Sequence, residues 1–400
     1  MAPDRQRHVP RSIAFWLVVY VFAMGMLGTT LPTPLYVLYQ ASWHFSEGIV
    51  TVIYASYAAG VMLTLLFAGR SSDQVGRRPV LGIALASSTV STIVFIVAPG
   101  LGLLFVGRVL SGLAAGLITG TATAALTDLA GPSGGRRASL ASTAANMGGL
   151  GLGPLVAGLF AEYGPNPTVL VFEVYLGLLA VGAVFLLVSP ETVEQKSRLT
   201  YRFRGLGIPS EGRGEFLAAS LAGFSAFALL GLFSSLAPSF LATVLHEDNR
   251  AVAGAVVFLI FAAATVTQMT LSRVASRTVM LAGLCIFPPA LALIVGGLSQ
   301  ASFALFLVGT AVGGVAAGCL FLGSLSTANR LAPTATRSQV VSTYFLFAYI
   351  GLTIPVIAVG VSSQHIGDFR ATLFCAIVLA VLCLCSGIAI MRARTPEPGA

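Results

Sequence analysis

The chain has 400 residues, of which 56% are hydrophobic and only 9% are charged, and its formal net charge is +8. Soluble domains carry about 25% charged residues, so this composition excludes a water-soluble globule. The basic residues lie in short segments between long apolar runs, which excludes a nucleic-acid-binding domain and predicts an all-α membrane protein.

Twelve apolar runs follow one another along the chain. Each is about 20 residues long, which is enough for a helix to cross a hydrocarbon core of roughly 30 Å. The predicted transmembrane helices lie at about 12–37, 47–69, 79–98, 101–126, 139–161, 167–189, 215–241, 250–271, 278–298, 301–327, 338–361 and 370–391. The polar connection 190–214, a cytoplasmic central loop, divides them into an N-terminal six-helix bundle, 1–189, and a C-terminal six-helix bundle, 215–400.

The first run is expected to be a retained helix, because it is too long for the apolar core of a signal peptide and no small-residue cleavage site follows it. When the twelve spans are laid out, all basic residues except Arg108, Arg250 and Arg370 fall on the side of the N-terminus. The positive-inside rule then predicts that both termini are cytoplasmic. Arginine is used almost to the exclusion of lysine, as in GC-rich bacteria, and we therefore expect a bacterial cytoplasmic (inner) membrane.

Two glycine-rich stretches of the first bundle recur in the second bundle. GRVLSGLAAG, Gly107–Gly116, is echoed 202 residues later by GTAVGGVAAG, Gly309–Gly318. GLGPLVAG from Gly151 and GLTIPVIAVG from Gly351 form a second pair at nearly the same offset. The repetition predicts two pseudo-symmetric halves, an architecture of transporters in which the substrate site lies between the halves near the middle of the membrane.

The segment between the second and third runs, GRSSDQVGRR, concentrates charge in a chain that is otherwise poor in it. Gly69, Asp73, Gly76, Arg77 and Arg78 match the signature G-x-x-x-D-x-x-G-[RK]-[RK] of the major facilitator superfamily at its usual position. The chain resembles that family over its whole length, because the number of helices, the central loop and the orientation also agree. The resemblance implies the major facilitator fold and a secondary carrier.

The residue types in this segment predict a tight turn beside a charge pair. Glycine tolerates the backbone dihedrals of such a turn, and the arginine fork holds a carboxylate in a fixed geometry. We predict Asp128, at the cytoplasmic end of the fourth helix, as the acidic partner of Arg77. Together they would latch the two halves on the inside when the cavity faces outward, in a cytoplasmic gate. The alternative is that the arginines here only set the topology.

The fifth predicted helix contains a second motif, NMGGLGLGPLVAG. Its Gly149, Gly153, Pro154 and Gly158 resemble the pattern of the drug:proton antiporters of the same family. Proline removes a backbone donor, and small residues allow another helix to approach closely. Ordinary close packing explains the glycines as well, so the antiporter interpretation depends on the coincidence with the first motif.

Arg108 lies inside the fourth predicted helix. A charge there costs at least about 2.5–3.5 kcal/mol on insertion scales, so it should face a partner or a wet cavity. The comparably deep acid is Glu173 in the sixth helix. LFVGRVLSGLAAG resembles a family motif whose arginine is thought to assist proton transfer. We predict an Arg108–Glu173 pair, serving either proton coupling or structure alone.

The predicted lining of the substrate cavity comes from several helices and consists of Pro32, Tyr36, Tyr57, Asn146, Gln268 and Tyr344. Pro32 belongs to TTLPTPLYVLYQ, which resembles a proline-containing motif of the drug-exporter branch. An aromatic, weakly charged cavity suits apolar or amphipathic substrates. Aromatic residues at helical spacing are equally typical of packing, so both interpretations stay open.

No cluster of histidines or cysteines has metal-ligand spacing, and the sequence contains no Walker A motif. We therefore expect no metal, no cofactor, no enzyme activity and no ATP-driven step. We predict a secondary active transporter that exports small hydrophobic or amphipathic compounds, as drugs or toxins, by proton-coupled alternating access. Its partners would be protons, a small-molecule substrate and the lipid bilayer, with no nucleic acid, and a monomer is expected. The alternative is a carrier of the same family for one specific metabolite, in either direction.

Overall fold

The protein is described by a computed structural model, which covers residues 9–69, 71–193, 206–333 and 336–392. Within these ranges, twelve helical segments are long and apolar enough to cross a membrane, so the predicted number of spans is confirmed. Predictions of orientation that depend on the following basic residues lie outside the described ranges: Arg5, Arg7, Arg70, Lys196, Arg198, Arg202, Arg204 and Arg394.

The spans are built from α-helices joined by short loops. The α-helices are α1 (Arg11–Thr30), α2 (Tyr36–Trp43), α3 (Glu47–Phe67), α4 (Ser71–Val75), α5 (Arg77–Ile96), α6 (Leu101–Ala130), α7 (Gly135–Tyr163), α8 (Pro167–Val188), α9 (Arg213–Thr243), α10 (Arg250–Thr270), α11 (Ser276–Ser299), α12 (Phe303–Leu331), α13 (Arg337–Ile366) and α14 (Asp368–Arg392). α1 and α2 together form the first span, and α4 lies in the loop between the second and third spans.

The first span is interrupted by a short 3-10 helix, Thr33–Leu35, which separates α1 from α2. Pro32 and Pro34 lack the backbone N–H that a continuous α-helix needs at these positions. The helix then continues to Trp43, beyond the predicted end at residue 37. Hydropathy marks the apolar part of a helix and misses the more polar turns that extend past it.

The two halves meet through two pairs of helices, α3 with α13 and α7 with α10. These are spans 2 and 11 and spans 5 and 8, so exchanging the halves converts one pair into the other. The glycine repeat has the same symmetry. A Cβ atom at Gly112 would collide with the carbonyl oxygen of Tyr57 in α3, and one at Gly314 would lie 2.5 Å from the carbonyl oxygen of Ile260 in α10. The repeated glycines thus permit equivalent close helix contacts in two pseudo-symmetric halves.

The helix bundle has two ends, and functional side chains lie at both of them. Arg11 and Arg392 lie at one end, which we call the terminal end. The opposite end carries the turn between Trp43 and Glu47, and we call it the distal end. Because consecutive spans run in opposite directions, the loop that contains α4, between the second and third spans, lies at the terminal end.

Candidate functional site

A cavity of about 620 Å³ lies between the two halves. The first half contributes Met26, Thr29, Thr30, Tyr54, Tyr57, Arg108, Thr119, Asn146, Met147 and Leu150 to its wall. The second half contributes Phe227, Leu230, Phe261, Phe321, Phe345, Tyr349 and Leu352. We call this space the central cavity.

The two walls of the central cavity differ in chemistry. Hydroxyl, amide and guanidinium groups come from the first half, whereas the second half is aromatic and aliphatic apart from the Tyr349 hydroxyl. Phe227 is the centre of the aromatic wall, with ring centroids 5.5 Å from both Phe321 and Tyr349. The sequence prediction missed these aromatic residues as individuals, because phenylalanine in an apolar helix gives no signal that separates a cavity wall from packing.

Two residues of the predicted lining, Tyr57 and Asn146, do line the central cavity. Tyr36 instead lines a neighbouring cavity of about 250 Å³ near the distal end. Pro32 precedes the 3-10 helix and contributes to neither wall.

Gln268 and Tyr344, which were also predicted to line the substrate cavity, do not contribute to the central cavity. The Tyr344 hydroxyl lies 2.7 Å from Ser324 Oγ inside the second half. Gln268 is buried in α10, and its amide nitrogen has no partner among the described residues. The α13 helix turns the Tyr344 side chain toward its own bundle, which a spacing argument on a largely apolar helix does not reveal.

Arg108 is fully buried at the wall of the central cavity. Its guanidinium donates hydrogen bonds to the carbonyl oxygens of Thr29 and, at 3.5 Å, Tyr54. The same group lies 5.3 Å from the ring centroid of Tyr54 and 4.9 Å from that of Tyr57. Ring faces and carbonyl oxygens attract a cation without neutralising its charge.

The predicted Arg108–Glu173 pair is wrong. Glu173 lies on the exposed face of α8, whereas Phe172 and Tyr175 of the same helix are buried. With about 100° of rotation per residue, a helix that turns Phe172 and Tyr175 inward turns Glu173 outward. Similar depth along two helices therefore did not bring the two side chains together.

A seal closes the distal end between the halves, and Glu47 is one of its parts. Glu47 Oε1 accepts a hydrogen bond from the Ser239 hydroxyl of α9, and Oε2 accepts one from the Ser363 hydroxyl of α13 at 3.3 Å. The carboxylate thus joins the first half to two helices of the second half. No motif in the sequence identified this residue.

Glu162 forms the other part of the distal seal. Its Oε2 accepts a hydrogen bond of 3.0 Å from the backbone N–H of Arg250, and the Arg250 guanidinium lies 3.9 Å from the same oxygen. Beside this seal, the Arg250 guanidinium donates a hydrogen bond of 3.5 Å to the Ala161 carbonyl oxygen. The halves are therefore joined by polar contacts at the distal end.

The glycines of the fifth-helix motif serve two different contacts. Gly149 and Gly153 face α1, where a Cβ atom at Gly149 would lie 2.6 Å from the carbonyl oxygen of Ala23. Gly158 faces α10, and a Cβ atom there would lie 2.6 Å from the carbonyl oxygen of Arg250. Pro154 lies inside α7, and its carbonyl group packs directly on Gly254. The motif therefore allows close helix contact at the distal seal.

At the terminal end, Arg77 is the centre of a polar cluster. It donates hydrogen bonds to Asp73, to Asp128 Oδ2 at 3.2 Å and to Ser72 Oγ at 2.9 Å. The predicted partner Asp128 is thus in contact with Arg77, across α4, α5 and α6. Gly69 precedes α4 and makes no positive-φ turn.

Glu191, just after α8, was not identified from the sequence but completes this cluster. Its carboxylate accepts hydrogen bonds from the backbone N–H groups of Arg77 at 2.9 Å and Arg78 at 3.2 Å. Free N–H groups at a helix start favour such an acceptor. The Arg78 guanidinium donates to the Leu187 carbonyl oxygen at 2.6 Å, and the Thr192 hydroxyl donates to Asp128 at 2.9 Å.

In this structure, whose distal end is closed, these residues do not join the two halves. Among the described residues, Arg77 and Asp128 contact only the first half and the start of the central loop. Both belong to residues 1–189, so their pair ties α5 to α6. In the second half, Arg330 stands 202 residues after Asp128 and forms an ion pair with Glu215. The sequence did not predict this pair, because an arginine stands in the second half where the first half has the acid Asp128.

Gly76 is expected to be intolerant of a side chain, because its φ of 112° and ψ of 155° suit glycine almost exclusively. Gly76→Ala should lower the free energy of unfolding by about 1–3 kcal/mol, measured as a lower melting temperature in a neutral detergent. Gly135→Ala is the matched control, since Gly135 has no positive φ and open space around its Cα. Equal melting temperatures of the two variants would contradict the strain argument.

Comparisons with known proteins come from both sequence and structure. The sequence profile of the Major Facilitator Superfamily matches residues 13–277. Multidrug resistance protein 2 of Bacillus subtilis is 24% identical over 190 residues, which cover 48% of this chain and 47% of that protein. Tetracycline resistance protein, class C, of Escherichia coli is 28% identical over 200 residues, which cover 50% of this chain and 49% of that protein.

The matched region spans about half the length of each of these two relatives. A solved structure of a bacterial homolog to the human lysosomal transporter Spinster, in an inward-facing and unoccupied conformation, superposes with a TM-score of 0.75. The two sequences are 14% identical, and the match covers 95% of this chain and 97% of the chain in the solved structure. At this identity the similarity establishes the fold alone.

Proposed function

The chain belongs to the major facilitator superfamily, and we propose that it is a proton-coupled exporter of small hydrophobic or amphipathic compounds. It is a multi-pass membrane transporter rather than an enzyme. The observation that carries the proposal is the central cavity, which lies between the two halves and has one aromatic wall. The names of the two drug-resistance relatives favour export over uptake.

Alternating access requires that the halves, 1–189 and 215–400, rock as units around the central cavity. In the conformation described here, the distal seal closes one side. We propose that the terminal end is cytoplasmic, in a bacterial inner membrane, so that the cavity would take up substrate from the cell interior. Breaking the distal seal would then release substrate outside, and the Arg77 cluster would approach the second half as the terminal end closed.

Proton coupling needs a carboxylate whose surroundings change between the two states. With Glu173 on the exposed face, we propose Glu47 for this role, because opening the distal end separates it from Ser239 and Ser363. Glu47→Gln, which mimics the protonated form, should reduce proton movement by about tenfold while substrate exchange without a pH gradient persists. Glu173→Gln should change neither rate and is the matched control.

The test uses the purified protein in proteoliposomes that contain a pH-sensitive dye. Cationic, neutral and anionic amphipathic compounds are added in separate experiments, and the proton movements that they cause are compared. A transported compound should release protons from the lumen. Proton movement that is insensitive to every compound would contradict coupled efflux. A response restricted to one metabolite would favour the specific carrier instead, and equal loss in Glu47→Gln and Glu173→Gln would remove Glu47 from the coupling step.

A further inference from the structure

Arg108 is a buried cation in the central cavity without a counter-charge among the described residues. None of the residues that line the cavity is an aspartate or a glutamate. The predicted partner, Glu173, faces outward, and the acids of the distal seal are held by groups of the second half. The positive charge at this wall is therefore not balanced by the described protein.

The hydrogen bonds of Arg108 leave the guanidinium incompletely satisfied. Two carbonyl oxygens accept from its terminal nitrogens, but Nε has no partner. A buried charge that is neither paired nor fully hydrogen-bonded is costly. An oxyanion beside it would gain charge-assisted hydrogen bonds, and the planar fork of arginine suits a carboxylate in particular.

The polar and aromatic side chains around the central cavity indicate what the remainder of a bound molecule should look like, beyond the group that meets Arg108. Thr29, Thr30 and Asn146 lie on the same wall as Arg108, while Phe227, Phe321 and Phe345 lie on the opposite wall. A bound molecule therefore meets polar groups on one side and aromatic rings on the other. A purely apolar compound would leave Arg108 unpaired, and a cation would be repelled by it.

We propose that the central cavity binds an amphipathic organic anion. Its carboxylate or similar oxyanion is the counter-charge of Arg108, and its apolar body packs on the rings of the second half. This inference rests on the proposed function for the identity of the cavity as the transport site, and it narrows the substrate class. It differs from a structural role of Arg108, in which the carbonyl oxygens and the tyrosine rings are its only partners.

The test is equilibrium binding to the full chain in a neutral maltoside detergent at pH 8. 2-Naphthylacetate, 2-naphthylacetamide and 2-(2-naphthyl)ethylamine have the same aromatic body and a negative, neutral or positive group. The acid should bind about tenfold more tightly than the amide, as expected for a charge-assisted hydrogen bond, with the amine weakest. Equal binding of the three, or preference for the amine, would overturn the proposal.

Variants assign the preference to Arg108. Arg108→Gln should bring the acid to the affinity of the amide, and Arg108→Lys should keep the order of the three compounds with weaker binding of the acid. Arg136→Gln, which removes an exposed arginine at the start of α7, should match the unmodified chain. An acid preference that survives in Arg108→Gln would also overturn the proposal. If Arg108→Gln fails to fold, the lysine variant and the three-compound series on the unmodified chain still decide.

Binding and transport separate the two proposals. Selective binding of the acid without proton-coupled movement would support the anion site and contradict proton-coupled efflux. Proton-coupled movement of neutral and cationic compounds without selective binding of the acid would support efflux and contradict the anion site.

Discussion

Gly158→Ala is expected to break the distal seal and to lower transport by about tenfold or more. A Cβ atom at this position would lie 2.6 Å from the Arg250 carbonyl oxygen and 3.1 Å from the Cα atom of Gly254. Both neighbours are backbone atoms of α10, so they cannot move aside as a flexible side chain would. Overpacking of this kind costs about 1–3 kcal/mol, and a change of 1.4 kcal/mol shifts an equilibrium about tenfold.

The expected consequence is a population shift, because the added methyl group disfavours only the state in which α7 and α10 touch at the distal end. Transport is measured in proteoliposomes. Access is measured by labelling a cysteine introduced at Met147, in the cavity wall, with a membrane-impermeant thiol reagent applied from the distal side. The background for labelling has all five natural cysteines replaced.

Gly148→Ala is the matched control for Gly158→Ala. It lies in the same helix, and a Cβ atom there meets nothing within 4 Å. This variant should transport normally, and Met147→Cys should be labelled from the distal side more slowly in it than in Gly158→Ala. Normal transport by Gly158→Ala, or equal impairment of the two variants, would show that close contact of α7 and α10 is unnecessary.

Arg77→Gln has the second large expected effect, a loss of transport of about tenfold or more. The substitution removes the side-chain contacts to Asp73, Asp128 and Ser72 that hold the loop around α4 to the end of α6. Hydrogen bonds that involve a charged group contribute about 1.5–3 kcal/mol each, less where water reaches them. Transport rate and melting temperature are both measured, since a role in gating should reduce the rate more than the stability.

The two acids that contact Arg77 should differ in how strongly their substitution impairs transport. Asp128→Asn should impair transport more than Asp73→Asn, because the Asp73 side chain is 55% exposed and lies in the same loop, whereas Asp128 is 35% exposed and belongs to another helix. Combining Arg77→Gln with Asp128→Asn should lower transport by less than the product of the two single effects, since both substitutions remove the same Arg77–Asp128 ion pair.

Arg273→Gln, in the loop between α10 and α11, is the control for the Arg77 variants. Arg273 is exposed and forms no ion pair with a described residue. Small and equal effects of Arg77→Gln and Arg273→Gln would reduce the charged segment to a topology signal, which was the alternative interpretation of its arginines.

The architecture was predictable because a bilayer imposes few solutions on a chain. Each span must satisfy its own backbone hydrogen bonds, so about 20 apolar residues in a row already indicate a helix. The glycine repeat added the symmetry, and the spacing from Gly69 to Arg78 added the family. Short motifs also identified Arg77 with Asp128, because both lie at helix ends where a polar pair stands out from its surroundings.

Within the membrane-spanning segments, the uniformly apolar sequence does not show which side chains face a site. Lipid and protein interior are equally apolar, so a spanning helix shows little periodicity to indicate which face meets which neighbour. Glu173 was therefore paired wrongly with Arg108, and Tyr344 was assigned to a cavity that it does not line. The depth of a residue in the membrane can be counted along the sequence of a helix, but the rotation of the helix about its axis cannot be obtained in this way.

Hydropathy, glycine spacing and the charged loop were thus sufficient for the number of helices, their order and the family. Contacts between distant parts of the chain followed only from packing. Glu47 meets Ser239 and Ser363, which lie 192 and 316 residues away in the sequence, and Arg108 is left facing a cavity without an acid. Such contacts arise from the rotation and close approach of whole helices, which depend on the fit of all neighbouring side chains at once.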